Sequence, residues 1–560
     1  MQKVSIGNQS FASVREKSCF YIDKTNFIKE WWESDDVVTL ITRPRRFGKT
    51  MTMSMLERFF SVRYAGGGQI FEGLSIWQEE KYQKLQGTYP VINISFANVK
   101  EKDSGMAVYR ICQILQSVYR ENYFLLESDA LTEGEKREIK KVADDGISTK
   151  DATMALNKLT ACLRQHYGKK VIILLDEYDT PMQEAYIKGY WDELVEFIRG
   201  MFNATFKTNP YMERGIITGI TRTSKESIFS DLNNLEVITT TSDKYETSFG
   251  FTEDEVFQAL DEFNLSNRKA EVKDWYDGFT FGGKSDIYNP WSITNFLDKK
   301  KIDTYWANTS SNGMIGTLLQ QGNTEVKKII EDLLTGSHLE VELDEQVIFN
   351  QLKKRKNAVW SLMLASGYLK VLETKQNPKT GRYSYKLNLT NREVKIMLED
   401  MIREWFEEGG GHYNEFIKAL LQNDKKAMNH YMNKVALNTF SYFDTGNSPS
   451  EQEPERFYHG FVLGLMVELA DRYNITSNRE SGFGRYDVML EPLSVGDTAY
   501  ILEFKVHDSE EEKDLRDTVK AAHRQIEEKE YDAGLLAKGI VQENIKHYGF
   551  AFRGKEVLIG

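Results

Sequence analysis

The chain has 560 residues, a formal net charge of −12, 41% hydrophobic residues and 28% charged residues, which excludes collagen-like, disordered and disulfide-stapled proteins. Because single cores stop growing near ~250 to 300 residues, this length predicts about two to four domains. The three cysteines show no CxxC spacing, so we expect neither a disulfide framework nor a cysteine zinc site. The acidic balance argues against a chain that coats nucleic acid along its whole length, but it is compatible with a local basic cleft.

The N-terminus and the apolar runs bear on location. The first 19 residues contain no apolar h-region, and no uncharged apolar run approaches the ~18 residues that a membrane span needs. We therefore expect a cytoplasmic protein that does not interact with a membrane.

Strand-like apolar runs alternate with helical stretches in the first part of the chain. This alternation predicts a parallel α/β sheet, and we assign residues 1–245 to one domain. The runs are Val37–Thr42, Val91–Phe96, Val171–Leu175 and Gly215–Ile220.

The middle of the chain has a different pattern. Residues 246–345 are mostly helical in pattern, and we expect a connector or lid there. In residues 346–448, a helix-like run, two alternating strands around an NPKTG turn and a further helix from Asn391 predict a winged-helix-like module. The basic run 353–356 (KKRK) either contacts phosphates or forms a solvated helix face.

The Pro-rich segment 445–455 marks the last domain boundary, and residues 449–560 form the C-terminal domain in this interpretation. The pattern that follows predicts a helix, two strands and a charged helix. These lie at residues 456–472, 486–490, 499–506 and 510–529.

The segment RPRRFGKT at residues 43–50 follows a strand-like run and opens a helix-like run. In a P-loop, backbone N–H groups and a helix N-terminus surround the phosphates, a lysine reaches the β- and γ-phosphates, and a threonine or serine holds Mg²⁺. Lys49 and Thr50 would take these roles. The first glycine of the pattern is replaced by Arg43, so the segment alone is also compatible with a basic helix N-terminus at the surface.

The run VIILLDEYD supplies a second element, a buried strand that ends in carboxylates. Asp176 would orient Mg²⁺, and Glu177 would polarise the attacking water. The alternative is a buried strand whose acidic residues only cap a helix. Together and in this order, the two segments predict ATP binding and hydrolysis with Mg²⁺.

The segments RPRRFGKT, LLDEYDTPM, GIITGITRTSKESIFSDLNNL and FGFTEDEV resemble the AAA-ATPase-like family common in bacteria, over about the first 250 residues. In that family RPRRFGK is itself the P-loop form, so the resemblance implies that Arg43 is a family variant. We assign nucleotide binding to Arg46, Phe47, Gly48, Lys49, Thr50, Met51 and Asp176, with Thr50 and Asp176 as metal ligands and Glu177 as the catalytic residue.

The strand GIITGIT ends in Thr218 and Thr221, and Arg222 follows it. This segment would supply a sensor for the γ-phosphate or an arginine that acts in cis or in trans. The alternative is that Arg222 and Lys225 begin a solvated helix.

The segments GFGRYDVML and AYILEFKV place Asp487, Glu503 and Lys505 on two successive strands. Residues two apart on a strand point to one face, so Glu503 and Lys505 project together, and Asp487 joins them if the hairpin register allows. Two carboxylates and a lysine suit metal-assisted phosphodiester hydrolysis, with Asp487 and Glu503 holding Mg²⁺ and Lys505 positioning water. Gln525 would orient the site from the next helix. The alternative is an ordinary hairpin with an exposed Glu503–Lys505 pair.

This arrangement resembles the PD-(D/E)XK nuclease superfamily over about the last 110 residues, with Asp487, Glu503, Lys505 and Gln525 as its motif. Many such nucleases carry an acidic residue on the first helix. Here His459, Glu468 and Glu480 are the candidates, and the sequence does not choose among them.

The fold class predicted is α/β: a P-loop NTPase parallel sheet, a helical and winged-helix-like middle, and a C-terminal restriction-endonuclease-like α/β domain. We expect an ATPase that cleaves or binds nucleic acid with Mg²⁺, with DNA favoured over RNA. The alternative is an ATP-switched regulator, scaffold or defence sensor whose nuclease-like domain only binds. A homo-oligomer and a protein partner are both compatible with the sequence.

Overall fold

The chain folds into two compact units, one formed by residues 1–315 with 338–394 and the other by 316–337 with 395–560. The segments 246–345 and 346–448 are each divided between these units, and the four-domain boundaries stay a prediction. No helix in the described part of the chain is long and apolar enough to cross a membrane. The structure is a computed structural model that describes residues 2–221, 228–229, 232–306, 313–320, 324–334, 336–343, 357–407, 413–439, 462, 466, 469, 472–481, 484–494, 496–508 and 511–560.

A five-stranded parallel sheet lies at the centre of the first unit. Its strands are β1 (Val38–Thr42), β2 (Val91–Ser95), β3 (Val171–Asp176), β4 (Met212–Gly219) and β5 (Leu235–Ile238). Their order is β2-β3-β4-β1-β5, with every neighbouring pair parallel. The predicted parallel α/β sheet is thus confirmed. Sequence analysis missed β5 because four residues at a partly exposed sheet edge give no periodic signal.

Ten helices that precede β4 in the sequence surround this sheet. The core between helices and sheet is rich in aromatic side chains, among them Trp31, Phe59 and Phe60, which pack with Ile41 and Ile172. The helices are α1 (Phe11–Glu16), α2 (Asn26–Ser34), α3 (Lys49–Phe60), α4 (Glu80–Leu85), α5 (Ser104–Glu121), α6 (Glu133–Asp145), α7 (Thr149–Ala152), α8 (Ala155–Tyr167), α9 (Thr180–Lys188) and α10 (Trp191–Phe202).

A small antiparallel sheet follows, in a segment that the sequence predicts to be mostly helical. Its order is β6-β8-β7, and its strands of two to five residues are too short for alternation to reveal them. The elements are β6 (Phe251–Thr252), α11 (Glu253–Glu262), α12 (Lys269–Tyr276), β7 (Phe279–Phe281), β8 (Lys284–Tyr288) and α13 (Pro290–Lys299).

The next segment contains the predicted hairpin between helices. Strands β10 and β11 pair antiparallel around the NPKTG turn, and β9 pairs with β11. All but the last residue of α16 are buried, so this helix offers little exposed surface for reading a nucleic acid groove. The basic run 353–356 lies outside the described residues, and a winged-helix role stays a prediction. The elements are α14 (Gly313–Gln320), α15 (Thr324–Leu334), β9 (Leu339–Glu342), α16 (Ala358–Ala365), β10 (Leu369–Gln376), β11 (Tyr383–Leu389) and α17 (Arg392–Glu407).

A mixed five-stranded sheet forms the C-terminal part of the second unit. The strand order is β12-β13-β14-β15-β16, and only the β14–β15 pair is parallel. Val462, Met466 and Leu469 belong to its core and Arg472 is exposed, while the other residues of the predicted helix 456–472 lie outside the described residues. The elements are α18 (Tyr413–Leu421), α19 (Lys425–Thr439), β12 (Tyr473–Ser481), β13 (Gly484–Pro492), β14 (Ala499–Val506), α20 (Leu515–Glu528), α21 (Ala533–Ala537), β15 (Ile545–Arg553) and β16 (Glu556–Ile559).

Candidate functional site

The loop between β1 and α3 has an unusual backbone conformation. Gly48 has a φ of +82° and Arg46 a φ of +66°, so two residues two positions apart are left-handed. Backbones that alternate in this way can turn successive N–H groups toward one side and form an anion-binding concavity. Helix α3 begins at Lys49, directly after this loop, and its N-terminus adds a partial positive charge.

Lys49 lies across this loop. Its Nζ donates hydrogen bonds of 2.9 Å to the carbonyl oxygens of Arg43 and Pro44, and the residue is 5% exposed. Burial lowers the pKa of Lys49, and the carboxylates of Glu177 and Asp176 oppose this effect. The ammonium group of Lys49 thus lies near the carboxylates of Asp176 and Glu177 at the end of β3.

Thr50 and Asp176 meet directly. The Thr50 hydroxyl donates a 2.7 Å hydrogen bond to Asp176 Oδ2, and the Thr218 hydroxyl donates to Oδ1. Asp176 is 2% exposed, and burial raises its pKa, while both hydroxyls act in the opposite direction. This cluster of hydroxyl and carboxylate oxygens is the donor set that Mg²⁺ prefers.

Glu177 follows Asp176 in a strained conformation. Its φ is +51°, a region that costs about 1–2 kcal/mol for a non-glycine residue. Its carboxylate accepts a 3.2 Å hydrogen bond from the Thr180 hydroxyl, and its N–H lies 3.4 Å from Thr218 Oγ1. Backbone strain of this kind clusters at functional sites.

Arg43 stands where the P-loop pattern has its first glycine, and it is completely buried. Its guanidinium donates to the carbonyl oxygens of Thr42 at 2.9 Å and Thr239 at 2.6 Å, and it lies 4.6 Å from the ring centroid of Phe281. Burial lowers the pKa of Arg43 to about 9. The side chain therefore anchors the start of the loop to the end of β5.

Three other residues assigned to nucleotide binding have different surroundings. The side chain of Phe47 is buried against Phe279 and Phe281, so only its backbone is available to a ligand. Arg46 is exposed, and its guanidinium lies 4.4 Å from the ring centroid of Trp291. Met51 is partly buried against the core of the first unit.

The second site lies on β13 and β14. Val488 is opposite Leu502, a register that brings Asp487 to Glu503, and Asp487 Oδ2 accepts a 2.8 Å hydrogen bond from the Phe504 N–H. Phe504 packs into the core with Phe550, on the opposite face from Glu503, as strand alternation predicts.

Glu503 is 1% exposed and accepts a hydrogen bond from Gln525 Nε2 on α20. Burial raises the pKa of Asp487 to about 6, while the Phe504 N–H and the charge of Lys505 act in the opposite direction. Asp487, Glu503, Lys505 and Gln525 are thus brought together. This set offers carboxylate oxygens, which suit Mg²⁺, beside a cation.

Several residues considered in the sequence analysis are not placed. His459, Glu468, Arg222 and Lys225 lie outside the described residues. Glu480 lies in β12, but its side chain is outside the described part of the chain.

Two family models match the segments of the chain that contain these sites. Residues 5–229 match the AAA-ATPase-like family, described as "Predicted AAA-ATPase", and residues 453–560 match the PD-(D/E)XK nuclease superfamily. The chain carries an AAA-ATPase-like domain and a PD-(D/E)XK nuclease-superfamily domain. A relative from Azotobacter chroococcum mcd 1, described as "Uncharacterized protein in vnfD 5'region", is 26% identical over 406 residues, which cover 72% of this chain and 70% of the relative.

Sequence reasoning missed Asp179 in the AAA-ATPase-like domain. Its Oδ2 accepts hydrogen bonds from the N–H groups of Ile220 at 3.0 Å and Thr221 at 2.9 Å, and from Gln183 Nε2 at 2.9 Å. The side chain is buried, which raises its pKa. Asp179 thus ties the end of β4 to the acidic loop after β3. Asp179 is the third acidic residue of the segment DEYD, and this position was the sequence signal that could have identified it.

Asp179→Ala is expected to lower the free energy of unfolding by about 3 kcal/mol, because two buried N–H groups lose their acceptor. Urea unfolding followed by tryptophan fluorescence measures this loss. Asp179→Asn keeps an acceptor oxygen and should lose less than half as much. Equal stability of Asp179→Ala and the wild type would contradict the anchoring role.

Tyr531 was also missed, in the nuclease-superfamily domain. Its hydroxyl accepts a 3.2 Å hydrogen bond from Gln525 Nε2. Burial raises the pKa of Tyr531, and the charges of Glu503 and Asp487 raise it further, although the bond from Gln525 acts in the opposite direction. Tyr531 therefore helps to orient Gln525. A single tyrosine beyond a charged helix carries no sequence signal for this role.

A carboxyl cluster is formed by residues of α11, β8 and the segment between α12 and β7. Oxygen atoms of Glu253, Asp277 and Asp286 lie within 4.8 Å of one another, and Lys273 Nζ is 2.5 Å from Glu253 and 3.7 Å from Asp286. Burial, and then the neighbouring Asp286, raise the pKa of Asp277 to about 7. Folded Asp277 therefore keeps a proton at pH values where an unfolded aspartate has lost it.

This difference makes stability depend on pH. The stabilisation by the Asp277 proton is complete below about pH 4 and is lost as the pH rises through about 7. Asp277→Asn does not titrate, so its melting temperature relative to the wild type should be higher at pH 8 than at pH 5. Thermal unfolding in EDTA at both pH values tests this, and a difference that does not change with pH would contradict it.

Proposed function

We propose that this protein is a Mg²⁺-dependent ATPase whose nuclease-superfamily domain cleaves or binds nucleic acid, with DNA as the favoured substrate. One observation carries the proposal: the P-loop Lys49 and Thr50 meet the β3 carboxylates at the carboxyl edge of the parallel sheet. The 2.7 Å bond between Thr50 and Asp176 is its most direct element. Open α/β sheets bind ligands at this edge.

In the ATPase site, Lys49 would exchange the carbonyl oxygens of Arg43 and Pro44 for the oxygens of the β- and γ-phosphates. Thr50 and Asp176 would hold Mg²⁺, which when bound supplies neutralisation of the phosphate charge. Glu177 would orient the attacking water and accept its proton. Thr218, which donates to Asp176, would keep that carboxylate in place.

In the nuclease-superfamily domain, Asp487 and Glu503 would hold Mg²⁺, which when bound supplies Lewis-acid activation of the phosphodiester. Gln525 orients Glu503 through its hydrogen bond. Lys505, two residues from Glu503 along β14, would position water and offset the developing negative charge.

A second candidate function is favoured by the surroundings of Asp487. This carboxyl group is largely buried and accepts the Phe504 N–H, and its pKa is raised to about 6. A carboxyl used in this way can stabilise the hairpin instead of holding a metal. The domain would then bind nucleic acid without cutting it, under control of the ATPase-like domain.

The test is an assay of the full chain on single- and double-stranded DNA and RNA, with Mg²⁺ or Mn²⁺, with and without ATP. Phosphate release is measured in parallel. Cleavage that is lost in Asp487→Ala supports the nuclease, and nucleotide-dependent binding without cleavage supports the second candidate. Absence of ATP binding and hydrolysis would remove the proposal.

A further inference from the structure

Two adjacent arginines in the loop before α3 have different surroundings. Arg46 is exposed and lies over Trp291. Arg45 is half-buried and turns toward α9, where its Nη2 lies 3.5 Å from Oε1 of Gln183. Gln183 is itself buried and donates to Asp179. The guanidinium of Arg45 is thus directed toward the acidic end of β3.

The backbone of Arg45 is held by two buried residues. Its carbonyl oxygen accepts a 3.1 Å hydrogen bond from Trp306 Nε1 and lies 3.3 Å from Asn289 Nδ2. Trp306 is 2% exposed and Asn289 is 1% exposed. Both bonds restrict the position from which the Arg45 side chain projects.

Arg45 follows directly on the two residues that bind the Lys49 ammonium group, because Lys49 Nζ donates hydrogen bonds of 2.9 Å to the carbonyl oxygens of Arg43 and Pro44. Two cations near one another in a partly buried site repel unless an anion lies between or beside them. The carboxylates at the end of β3 supply part of this compensation, and a bound triphosphate would supply more.

We infer that Arg45 is a phosphate-binding arginine that the P-loop itself supplies, and that it contacts the terminal phosphate of the bound nucleoside triphosphate. Gln183 is an α9 side chain that the guanidinium contacts. An arginine presents a fork of N–H donors that matches phosphate geometry. The inference rests on the proposed ATPase function, and it assigns within the same chain a role that arginine fingers play in other P-loop enzymes.

The alternative role of Arg45 is a structural tie between the loop and α9. The two roles differ in what they predict for Gln183→Leu. This variant removes the contact between Arg45 and Gln183 on α9 but keeps the arginine. A structural tie requires Gln183→Leu to behave like Arg45→Ala, whereas a phosphate contact requires Gln183→Leu to retain a preference for ATP over ADP.

The test is equilibrium binding of Mg²⁺–ATP and Mg²⁺–ADP to the full chain, in the wild type and in Arg45→Ala, Arg45→Gln and Gln183→Leu. Because hydrogen bonds to charged groups contribute about 1.5–3 kcal/mol, both Arg45 variants should weaken ATP binding about ten- to hundred-fold. ADP binding should weaken about threefold or less, since ADP lacks the terminal phosphate. Arg164→Ala, which removes an exposed arginine near Tyr211, is the matched control.

The outcomes separate this inference from the proposed function. If the wild type binds neither nucleotide, the ATPase proposal fails and the inference fails with it. If the wild type binds ATP, but the Arg45 variants lose ATP and ADP affinity equally, only the inference fails. It also fails if Gln183→Leu loses the ATP preference to the same extent. Arg45→Gln keeps a shorter, uncharged polar side chain and decides the case if Arg45→Ala does not fold.

Discussion

Glu177→Gln is expected to reduce ATP turnover by about a hundred-fold or more while leaving ATP binding within a few-fold of the wild type. Glutamine keeps the shape of the side chain but cannot accept the proton of the attacking water, and general bases contribute about 10²–10⁴-fold to rates. Binding should persist because Lys49, Thr50 and Asp176 are unchanged. Phosphate release under saturating ATP, together with equilibrium nucleotide binding, measures both quantities.

The control is Glu184→Gln. Glu184 lies on α9, seven residues beyond Glu177 in the chain, and pairs with Lys188 at 2.9 Å. Its replacement by glutamine removes the same charge as Glu177→Gln does. Its turnover should match the wild type. Wild-type turnover in Glu177→Gln would remove the assignment of Glu177. A loss of ATP binding in this variant would instead indicate that the left-handed Glu177 backbone is needed to shape the loop.

Lys505→Ala is expected to reduce phosphodiester cleavage by about a hundred-fold or more, because the alanine can neither position water nor offset the charge that develops on the phosphate. Asp487 and Glu503 remain, so binding of Mn²⁺ or Mg²⁺ should weaken much less than cleavage. Cleavage of labelled DNA and RNA, with metal binding by calorimetry, separates the two effects.

Lys520→Ala serves as the control for this variant. Lys520 is exposed on α20 and pairs with Asp517 at 3.0 Å, so its removal changes the net charge by the same amount without reaching the proposed site. Cleavage by Lys505→Ala at the wild-type rate would place the chemistry elsewhere. Nucleic acid binding with no cleavage by the wild type would favour the regulator.

The ATPase-like site shows which placements follow from local sequence patterns. A strand, a loop and a helix that are continuous in sequence place Lys49 and Thr50, and an apolar run that ends in Asp176 and Glu177 places the carboxylates. Parallel strands end at one edge of a sheet, and only β4 separates β1 from β3, so the two segments lie close together at that edge. Strand alternation is also a local property, and it predicts that Glu503 and Lys505 share a face.

Other features depend on partners far away in the chain. Arg43 binds the carbonyl oxygen of Thr239, 196 residues later, and Asp179 binds the N–H of Thr221, 42 residues later. The burial of Phe47 likewise depends on the small sheet that contains Phe279 and Phe281. No local pattern encodes these contacts, because each depends on which elements pack together.

Local sequence patterns are enough to predict the α/β class, the strand that precedes the phosphate-binding loop, the acidic strand end and the alternation of Glu503, Phe504 and Lys505. All of these follow from periodicity and spacing over fewer than about twenty residues. Long-range packing distinguishes the three arginines of RPRR: one is buried, one is stacked on Trp291 and one is directed toward Asp179. These differences depend on burial and on long-range hydrogen bonds. Neighbouring arginines cannot be told apart by any local sequence pattern.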